Sequence, residues 1–426
     1  MNVIIKLWNR IAALFSDELL RHTAILFTGM MVVHVCNLVY QMAVSRVLPQ
    51  KEYALLAAFL GGLAILSYPL STLASGVSHY SSLLKREGRA GDVKRLLFKW
   101  LLLTGVPAVL FGAVVVIFNR HVAGFMHLDR VAPVIIAGTV LPALFWLPVL
   151  TGAAQGLQMF GWSSASAIAG AFFRLLLGAG FVWFLYPACG WAMLGHDLGV
   201  YVSAAVLVWG LFLILCRVES TAKSLPSMRF YLLQSFLVQV AFAVLMNVDV
   251  VLVKHYLPNN TEFAYAATLG RIVAFLPAAV SVAMFPKVAS AGGTTFEHRQ
   301  IFFRSFGYTA LCVAAAATGC FFLPRLLLRV LFGIHDASDS MVLLTRLMAA
   351  AMSASALLNV AVQFLLAQRW FKKAVLFAIF SFFYLVAAYF FHGRAWYIAV
   401  ESGIFNTIAL LVVFFGILRS IRKLCE

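Results

Sequence analysis

Charge is what this chain has least of: of its 426 residues 11% are Asp, Glu, Lys or Arg, and the acids number 15. Soluble domains carry about 25% charged residues, so that shortage, set beside 63% hydrophobic residues, excludes a water-soluble fold. Cysteine is also sparse. Cys36, Cys189, Cys216, Cys312, Cys320 and Cys425 form no C-x-x-C pair and mostly lie in or beside apolar runs, which leaves no disulfide framework and no thiolate zinc site. Neither G-x-x-x-x-G-K-[ST] nor H-E-x-x-H occurs, so the chain has no P-loop and no zinc-protease signature of its own. No long loop carries paired acids, which disfavours a membrane glycosyltransferase, and no extended hydrophilic stretch offers a domain for a polymer ligase. The chain reads as a non-enzyme that needs no cofactor and no metal.

What is present is apolar length. A helix needs about twenty apolar residues to cross a bilayer, and twelve stretches qualify: 22–45, 54–80, 97–118, 131–155, 163–186, 197–217, 230–256, 263–287, 303–324, 341–367, 372–391 and 395–417. The expected class is therefore an all-α polytopic membrane protein with about twelve transmembrane helices. The formal charge of +17 comes from basic residues scattered between spans, with no basic stripe interleaved with aromatics, so nucleic acid is not the expected partner. Those residues concentrate on alternate connections, most heavily in Lys85, Arg86, Arg89, Lys94, Arg95 and Lys99. By the positive-inside rule that places both termini in the cytoplasm. Residues 1–21, with Ile4, Leu7, Trp8, Ile11, Leu14 and Phe15 opposite Lys6, Arg10 and Asp17, show no small-residue cleavage site and read as an interfacial amphipathic helix.

The two halves echo one another. Leu48-Pro49 returns as Leu257-Pro258, Pro69 as Pro277, Phe125…Asp129 as Phe332…Asp336, and Phe160 as Phe371, in order and at a nearly constant offset. A unit with an even number of spans repeats in parallel, about an axis along the membrane normal. The expected organisation is a six-helix lobe at 22–218, a cytoplasmic linker at 219–229, a second six-helix lobe at 230–418, a basic tail at 419–426, and a central cavity between the lobes.

Ionisable groups at membrane depth cost at least a few kcal/mol each and usually face a bundle interior or a wet cavity. Three stand out. Arg174 lies roughly 16 Å from the cytoplasmic end of the fifth span, while Asp249 and Arg271 each lie roughly 13 Å below the opposite helix ends of the seventh and eighth. Equal depth on adjacent helices makes Asp249 and Arg271 expected partners; a purely structural ion pair is the competing reading. Arg174, Asp249 and Arg271 fall opposite Leu385, Tyr40 and Leu63 in the repeat, so the charges break the duplication that shapes the scaffold. His34, Asn37, Asn247, Asn359, Gln363, Glu401 and Asn406 are weaker polar candidates, for which interhelical hydrogen bonding is the blander account. Pro69 and Pro277, at repeat-equivalent places inside spans, are candidate hinges because proline removes a backbone donor.

The run Asn247-Val-Asp249-Val-Val-Leu-Val-Lys254-His-Tyr-Leu257-Pro258, then Tyr265-Ala-Ala, Gly270-Arg271-Ile272, Phe275-Leu-Pro277 and Phe285-Pro286-Lys287-Val288, resembles the seventh and eighth helices of oligosaccharide flippases. In the first half, Ser45-Arg46-Val-Leu48-Pro49 with Glu52-Tyr53, and Gln155-Gly156-Leu157 with Phe160-Gly161 and Arg174, resemble the matching segments. The resemblance is to the O-antigen (Wzx-type) polysaccharide branch of the multidrug/oligosaccharidyl-lipid/polysaccharide exporter superfamily. The chain lacks the extra C-terminal helix pair of the longer lipid II flippases.

That resemblance implies a V-shaped pair of lobes in the bacterial inner membrane, carrying a polyprenyl-pyrophosphate-linked oligosaccharide from the cytoplasmic to the periplasmic leaflet by alternating access. It implies Arg174 and Arg271 as anion-binding groups for pyrophosphate, Asp249 as the residue coupling transport to a proton or sodium ion, and a polysaccharide polymerase as a possible partner. Two other functions fit the same residues: an ion-coupled exporter of small molecules or drugs, and a non-transporting scaffold for a polysaccharide synthase.

Overall fold

The computed structural model describes residues 18–216, 218–220, 229–275, 295–368 and 371–423. Among them every element is helical. The first half holds α1 (Glu18–Val47), α2 (Gln50–Arg86), α3 (Asp92–Ile117), α4 (Asn119–Phe125), α5 (Ala132–Gly156), α6 (Phe160–Phe184) and α7 (Cys189–Leu215); the second holds α8 (Arg229–Tyr256), α9 (Glu262–Phe275), α10 (Thr295–Phe322), α11 (Pro324–Phe332), α12 (Asp339–Ala367), α13 (Phe371–Phe390) and α14 (Ala395–Lys423). Ten of these are long and apolar enough to cross a membrane. The other two expected spans correspond to α9, described as far as Phe275, and to α13, whose apolar stretch is Phe377–Phe390.

Several boundaries differ from expectation. α1 begins at Glu18 and so takes in the end of the segment expected as a separate interfacial helix; residues 1–17 of that segment lie outside the described residues. Arg229, placed in the linker, opens α8, and α14 runs through Arg419 to Lys423, into the expected tail. α7 starts at Cys189 rather than near residue 197, because the glycines and Asp197 that depress local hydropathy are tolerated where the helix faces protein.

Two short helices were not legible as spans. α4 has 7 residues and α11 has 9, too short to cross lipid. Proline opens α11, where its missing donor costs nothing, and Gly333 ends it at φ 74°, the left-handed conformation that closes many helices. Ser338 then caps α12, its Oγ accepting from the Met341 amide at 3.0 Å.

The halves repeat in packing as well as in order. In the first, α2 packs on α5, α1 on α6, α3 on α5, α5 on α7 and α6 on α7; in the second, α9 packs on α12, α8 on α13, α10 on α12, α12 on α14 and α13 on α14. Each pairing of the first half thus has its counterpart in the second. Small residues set the closest approaches, as expected where lipid supplies no hydrophobic drive between helices. A Cβ on Gly195 would sit 2.2 Å from the Gly178 Cα, and one on Gly199 2.5 Å from the Gly170 carbonyl oxygen, so Gly195-x-x-x-Gly199 presses α7 onto α6. Outward faces keep large apolar side chains such as Phe98, Leu110, Trp209, Leu311 and Phe382 exposed, the arrangement a lipid-facing surface requires.

Among the described residues the halves meet unequally. α2 lies against α8 over much of its length: Val250 presses on Gly61, the Tyr68 hydroxyl donates to the Met246 sulfur at 3.3 Å, and the Gln239 amide donates to the Ser71 hydroxyl at 3.3 Å. The symmetry-equivalent approach, α1 to α9, is marked by His34 stacking on Phe275 at 6.4 Å. One apolar cluster mixes the halves, with Tyr40, Val44, Leu48 and Tyr53 beside Tyr265, Leu269, Leu328 and Phe332, all at the end of the bundle where α1 and α8 finish. Contacts across that end include Phe125 stacked on His255 at 4.0 Å and Tyr53 on Tyr265 at 4.5 Å. Toward the other end, the α2 face that carries Tyr53 presents exposed Ser71 and Ser75.

Candidate functional site

The expected pair forms. Arg271 on α9 donates from Nη2 to Oδ1 of Asp249 on α8 at 2.6 Å; Asp249 is fully buried, while the Arg271 side chain keeps 12% of its exposure. The same Oδ1 accepts the Val250 amide at 2.9 Å. The pair is incompletely satisfied, since Asp249 Oδ2 and Arg271 Nε have no hydrogen-bond partner among the described residues. Buried polar atoms are rarely left so, and here they mark places that water, an ion or a ligand can fill. Behind the pair, Asn406 of α14 donates to the Leu245 carbonyl at 3.1 Å and leaves its own buried Oδ1 unpartnered, and Ser381 of α13 donates to the Ala241 carbonyl at 2.8 Å. Asn247 spends its amide on the Ala243 carbonyl of its own helix. Gln363 and Asn359 bond each other at 3.4 Å.

Arg271 stands on the seam. Tyr53 and Tyr68 of α2 lie within its electrostatic reach, and one turn before it Thr268 accepts from the Tyr53 hydroxyl at 3.1 Å, while Gln41 of α1 offers that hydroxyl an alternative acceptor at 3.3 Å. The Tyr53 hydroxyl carries one proton, so it makes one of these bonds at a time, and either choice ties α2 to a neighbouring helix.

Arg174 occupies a different place. It sits among α1, α6 and α7, inside the first half, with Nη1 donating to Asn37 Oδ1 at 3.2 Å and its guanidinium 4.4 Å from the Tyr40 ring centre. The Tyr40 hydroxyl in turn donates to the Ala192 carbonyl of α7 at 3.1 Å. Tyr40 is the repeat equivalent of Asp249, so in each half an arginine lands on the same scaffold position. The structure does not bring Arg174 and Arg271 into contact; they belong to two clusters, and Gln41 of α1 with Tyr53 of α2 lies between them.

Sequence reading missed the other half of the Arg174 cluster. His196 and Asp197 lie within its electrostatic reach, Asp197 is 2% exposed, and among the described residues neither Asp197 oxygen has a hydrogen-bond partner; His196 Nδ1 and Arg174 Nε are unpartnered too. The signal that finds them is the glycine pair Gly195 and Gly199 flanking them, which fixes α7 against α6 at the level of Arg174. Among the described residues no group of three or more acid, histidine or cysteine side chains forms a metal site.

Pro69 is buried inside α2, which stays helical through it, and Thr72 donates to its carbonyl at 2.7 Å. Pro277, the second expected hinge, lies outside the described residues.

With this geometry in place, comparison with solved structures is decisive for the fold. A multidrug resistance MATE family transporter of the MOP superfamily, in an inward-facing conformation, superposes with a TM-score of 0.68 at 13% identity, covering 94% of this chain and 98% of its own. The chain has the MOP-superfamily transporter fold. The lipid II flippase MurJ in an inward closed conformation gives a TM-score of 0.67 at 13% identity, covering 94% of this chain and 90% of its own. A MOP superfamily transporter from Pyrococcus furiosus, described for the reverse polarity of its binding pocket, gives 0.65 at 14% identity over 95% and 96%. No protein-family model and no curated protein matches the sequence. At these identities the likeness carries the fold; substrate and mechanism rest on this chain's own residues.

Proposed function

We propose that this protein is a flippase that moves a polyprenyl-pyrophosphate-linked oligosaccharide from the cytoplasmic to the periplasmic leaflet of a bacterial inner membrane, for assembly of a cell-surface polysaccharide such as O-antigen or exopolysaccharide. The observation that carries this reading is Arg271: a guanidinium at the seam between two apolar halves, partly exposed, with an unfilled Nε donor. A sugar head cannot cross hydrocarbon because each hydroxyl loses its hydrogen bonds there. A seam lined by a guanidinium and by the Ser71 and Ser75 hydroxyls supplies replacements while the polyprenyl tail stays in lipid. Arginine suits the pyrophosphate because its planar donors match phosphate oxygens in pairs.

In this mechanism the contacts at the end where α1 and α8 finish hold the cavity shut on the periplasmic side, with both termini cytoplasmic. Cargo enters from the cytoplasmic leaflet along the α1 and α9 edge. Its pyrophosphate competes with Asp249 for Arg271, and Asp249, released, takes up a proton or sodium ion. Arg174 provides a second foothold for the anion deeper in the first half, and Pro69 inside α2 is a hinge on which the lobes rock. The scaffold reading has no observation in its favour.

A second reading does have one. The unpartnered carboxylate of Asp197 and the half-buried Glu401, whose Oε2 is unpartnered, are the groups an ion-coupled exporter of cationic small molecules needs. The test is the sidedness of lipid-linked oligosaccharide in cells depleted of this protein, probed with a membrane-impermeant sugar reagent on matched inverted and right-side-out vesicles. Accumulation on the cytoplasmic face is expected; an unchanged distribution, with redundant flippases deleted, moves the assignment to the small-molecule exporter.

A further inference from the structure

A second cationic site lies away from the seam interior. A cavity of about 690 Å³ opens where α1 and α11 end, lined by Arg46, Leu326, Arg329, Val330, Phe332, Gly333 and His335. Arg46 belongs to the first half and the rest to the second. Its Nη2 donates to the Val330 carbonyl, while the Gly333 and Ile334 amides satisfy the Arg329 and Leu328 carbonyls. The carbonyl end of α11 is thereby already capped and its dipole already answered by one guanidinium.

Arg329 and His335 are therefore surplus to the helix. Both are exposed, both line the cavity, and among the described residues no acid lines it; Asp339, the acid at the start of α12, is taken by Arg325 at 2.6 Å. Arg46 makes one hydrogen bond, although a guanidinium has five donors. Two arginines that share a cavity lined by no acid repel one another unless an anion enters. Part of the lining is apolar. Leu326 and Val330 are about half exposed, and the neighbouring Phe321, Phe322 and Leu323 are more than half exposed, which is the surface of a helix lying in the acyl-chain boundary.

We propose that this cavity binds the phosphate headgroup of an anionic phospholipid, with Arg46, Arg329 and His335 on the phosphate and Leu326 and Val330 against the first part of an acyl chain. The shared chemistry is a phosphate mono-anion; the apolar wall selects the lipid over the free ion. Because its donors come from both halves, the bound lipid fastens the end of the bundle at which the halves meet, and it must leave or shift when that end opens. Linkage then requires that the lipid favour the closed end and that opening weaken its binding.

The test uses the full-length protein in phosphatidylcholine nanodiscs doped with phosphatidylglycerol carrying a photoactivatable acyl chain. Labelling of the peptide spanning residues 321–335 is read by mass spectrometry for the wild type and for Arg329→Gln/His335→Gln, which leaves the Arg46 cap on α11 intact. The wild type is expected to label at this peptide. The variant should lose at least fivefold, with an unchanged melting temperature in pure phosphatidylcholine showing that it is folded. Unlabelled phosphatidylglycerol should compete, and millimolar inorganic phosphate should not. Equal labelling of the variant overturns the site, and full competition by inorganic phosphate overturns the lipid as its occupant. If the double variant misfolds, the single change Arg329→Lys, which keeps charge and removes the fork of donors, should lower labelling; no change on that substitution also overturns the site.

Discussion

Breaking the Asp249–Arg271 pair from its two sides should give two different pH dependences. Asp249→Leu strands a guanidinium that cannot discharge itself, because arginine stays protonated at every accessible pH. Removing one partner of a buried pair costs about 3–5 kcal/mol, and this loss should be the same at pH 5 and pH 8. Arg271→Met strands a carboxylate, which can discharge by taking up a proton. From an ordinary carboxyl pKa near 4, the cost of that uptake is about 1.5 kcal/mol at pH 5 and about 4 kcal/mol at pH 7, growing by roughly 1.4 kcal/mol per pH unit. The folded variant then binds a proton that the unfolded chain does not hold at those pH values, so its stability must fall as pH rises. The double replacement Asp249→Leu/Arg271→Met removes both charges from a fully buried and a nearly buried position and should be no worse than either single change. Reversible unfolding in mixed detergent and SDS micelles at pH 5, 6, 7 and 8 measures all three. A pH-independent loss for Arg271→Met, or a double variant less stable than both singles, would refute the reasoning.

Other expectations follow from the same geometry. Asp249→Asn keeps an acceptor for Arg271 and for the Val250 amide, so it should fold, yet it should abolish the response of transport to an imposed proton or sodium gradient in vesicles; retained coupling would sink that role for Asp249. Gly195→Leu drives side-chain atoms into the Gly178 backbone and should destabilise by at least the ~1–3 kcal/mol of an overpacked core. Gly62→Ala, which meets nothing within 4 Å, should instead be neutral or stabilising by up to about 1 kcal/mol; equal melting temperatures for these two variants would contradict the packing account. Tyr53→Phe deletes the hydroxyl that reaches Gln41 and Thr268, costs about 0.5–1.5 kcal/mol, and should raise the reactivity of a cysteine placed at Thr261, whose hydroxyl donates to Gln50 of α2 at 3.2 Å across the same end, toward an impermeant thiol reagent; unchanged reactivity would remove Tyr53 from the closure.

The apolar spans and their order were legible because lipid imposes a minimum helix length, and the duplication was legible because turn residues such as Leu48-Pro49 and Leu257-Pro258 recur. The Asp249–Arg271 contact was legible from depth alone. α4 and α11 were not, since a helix lying at the boundary has no length signal of its own. Asp197 was missed for a related reason: glycines at 195 and 199 dilute the hydropathy that marks a span, although those same glycines build the α6–α7 crossing. The separation of Arg174 from Arg271 could not be read from sequence, because depth along a helix says nothing about which side of the bundle that helix occupies.

The most direct test of the central claim is translocation by the purified protein. Proteoliposomes loaded on one leaflet with a fluorescent polyprenyl-pyrophosphate oligosaccharide report the fraction that becomes accessible to an impermeant glycosidase over time. Wild-type protein should raise that rate well above empty liposomes, and Arg271→Gln should remove most of the gain while remaining folded. A wild-type rate equal to that of empty liposomes under an imposed proton and a sodium gradient, with cationic dyes transported by the same preparation, would contradict the flippase account.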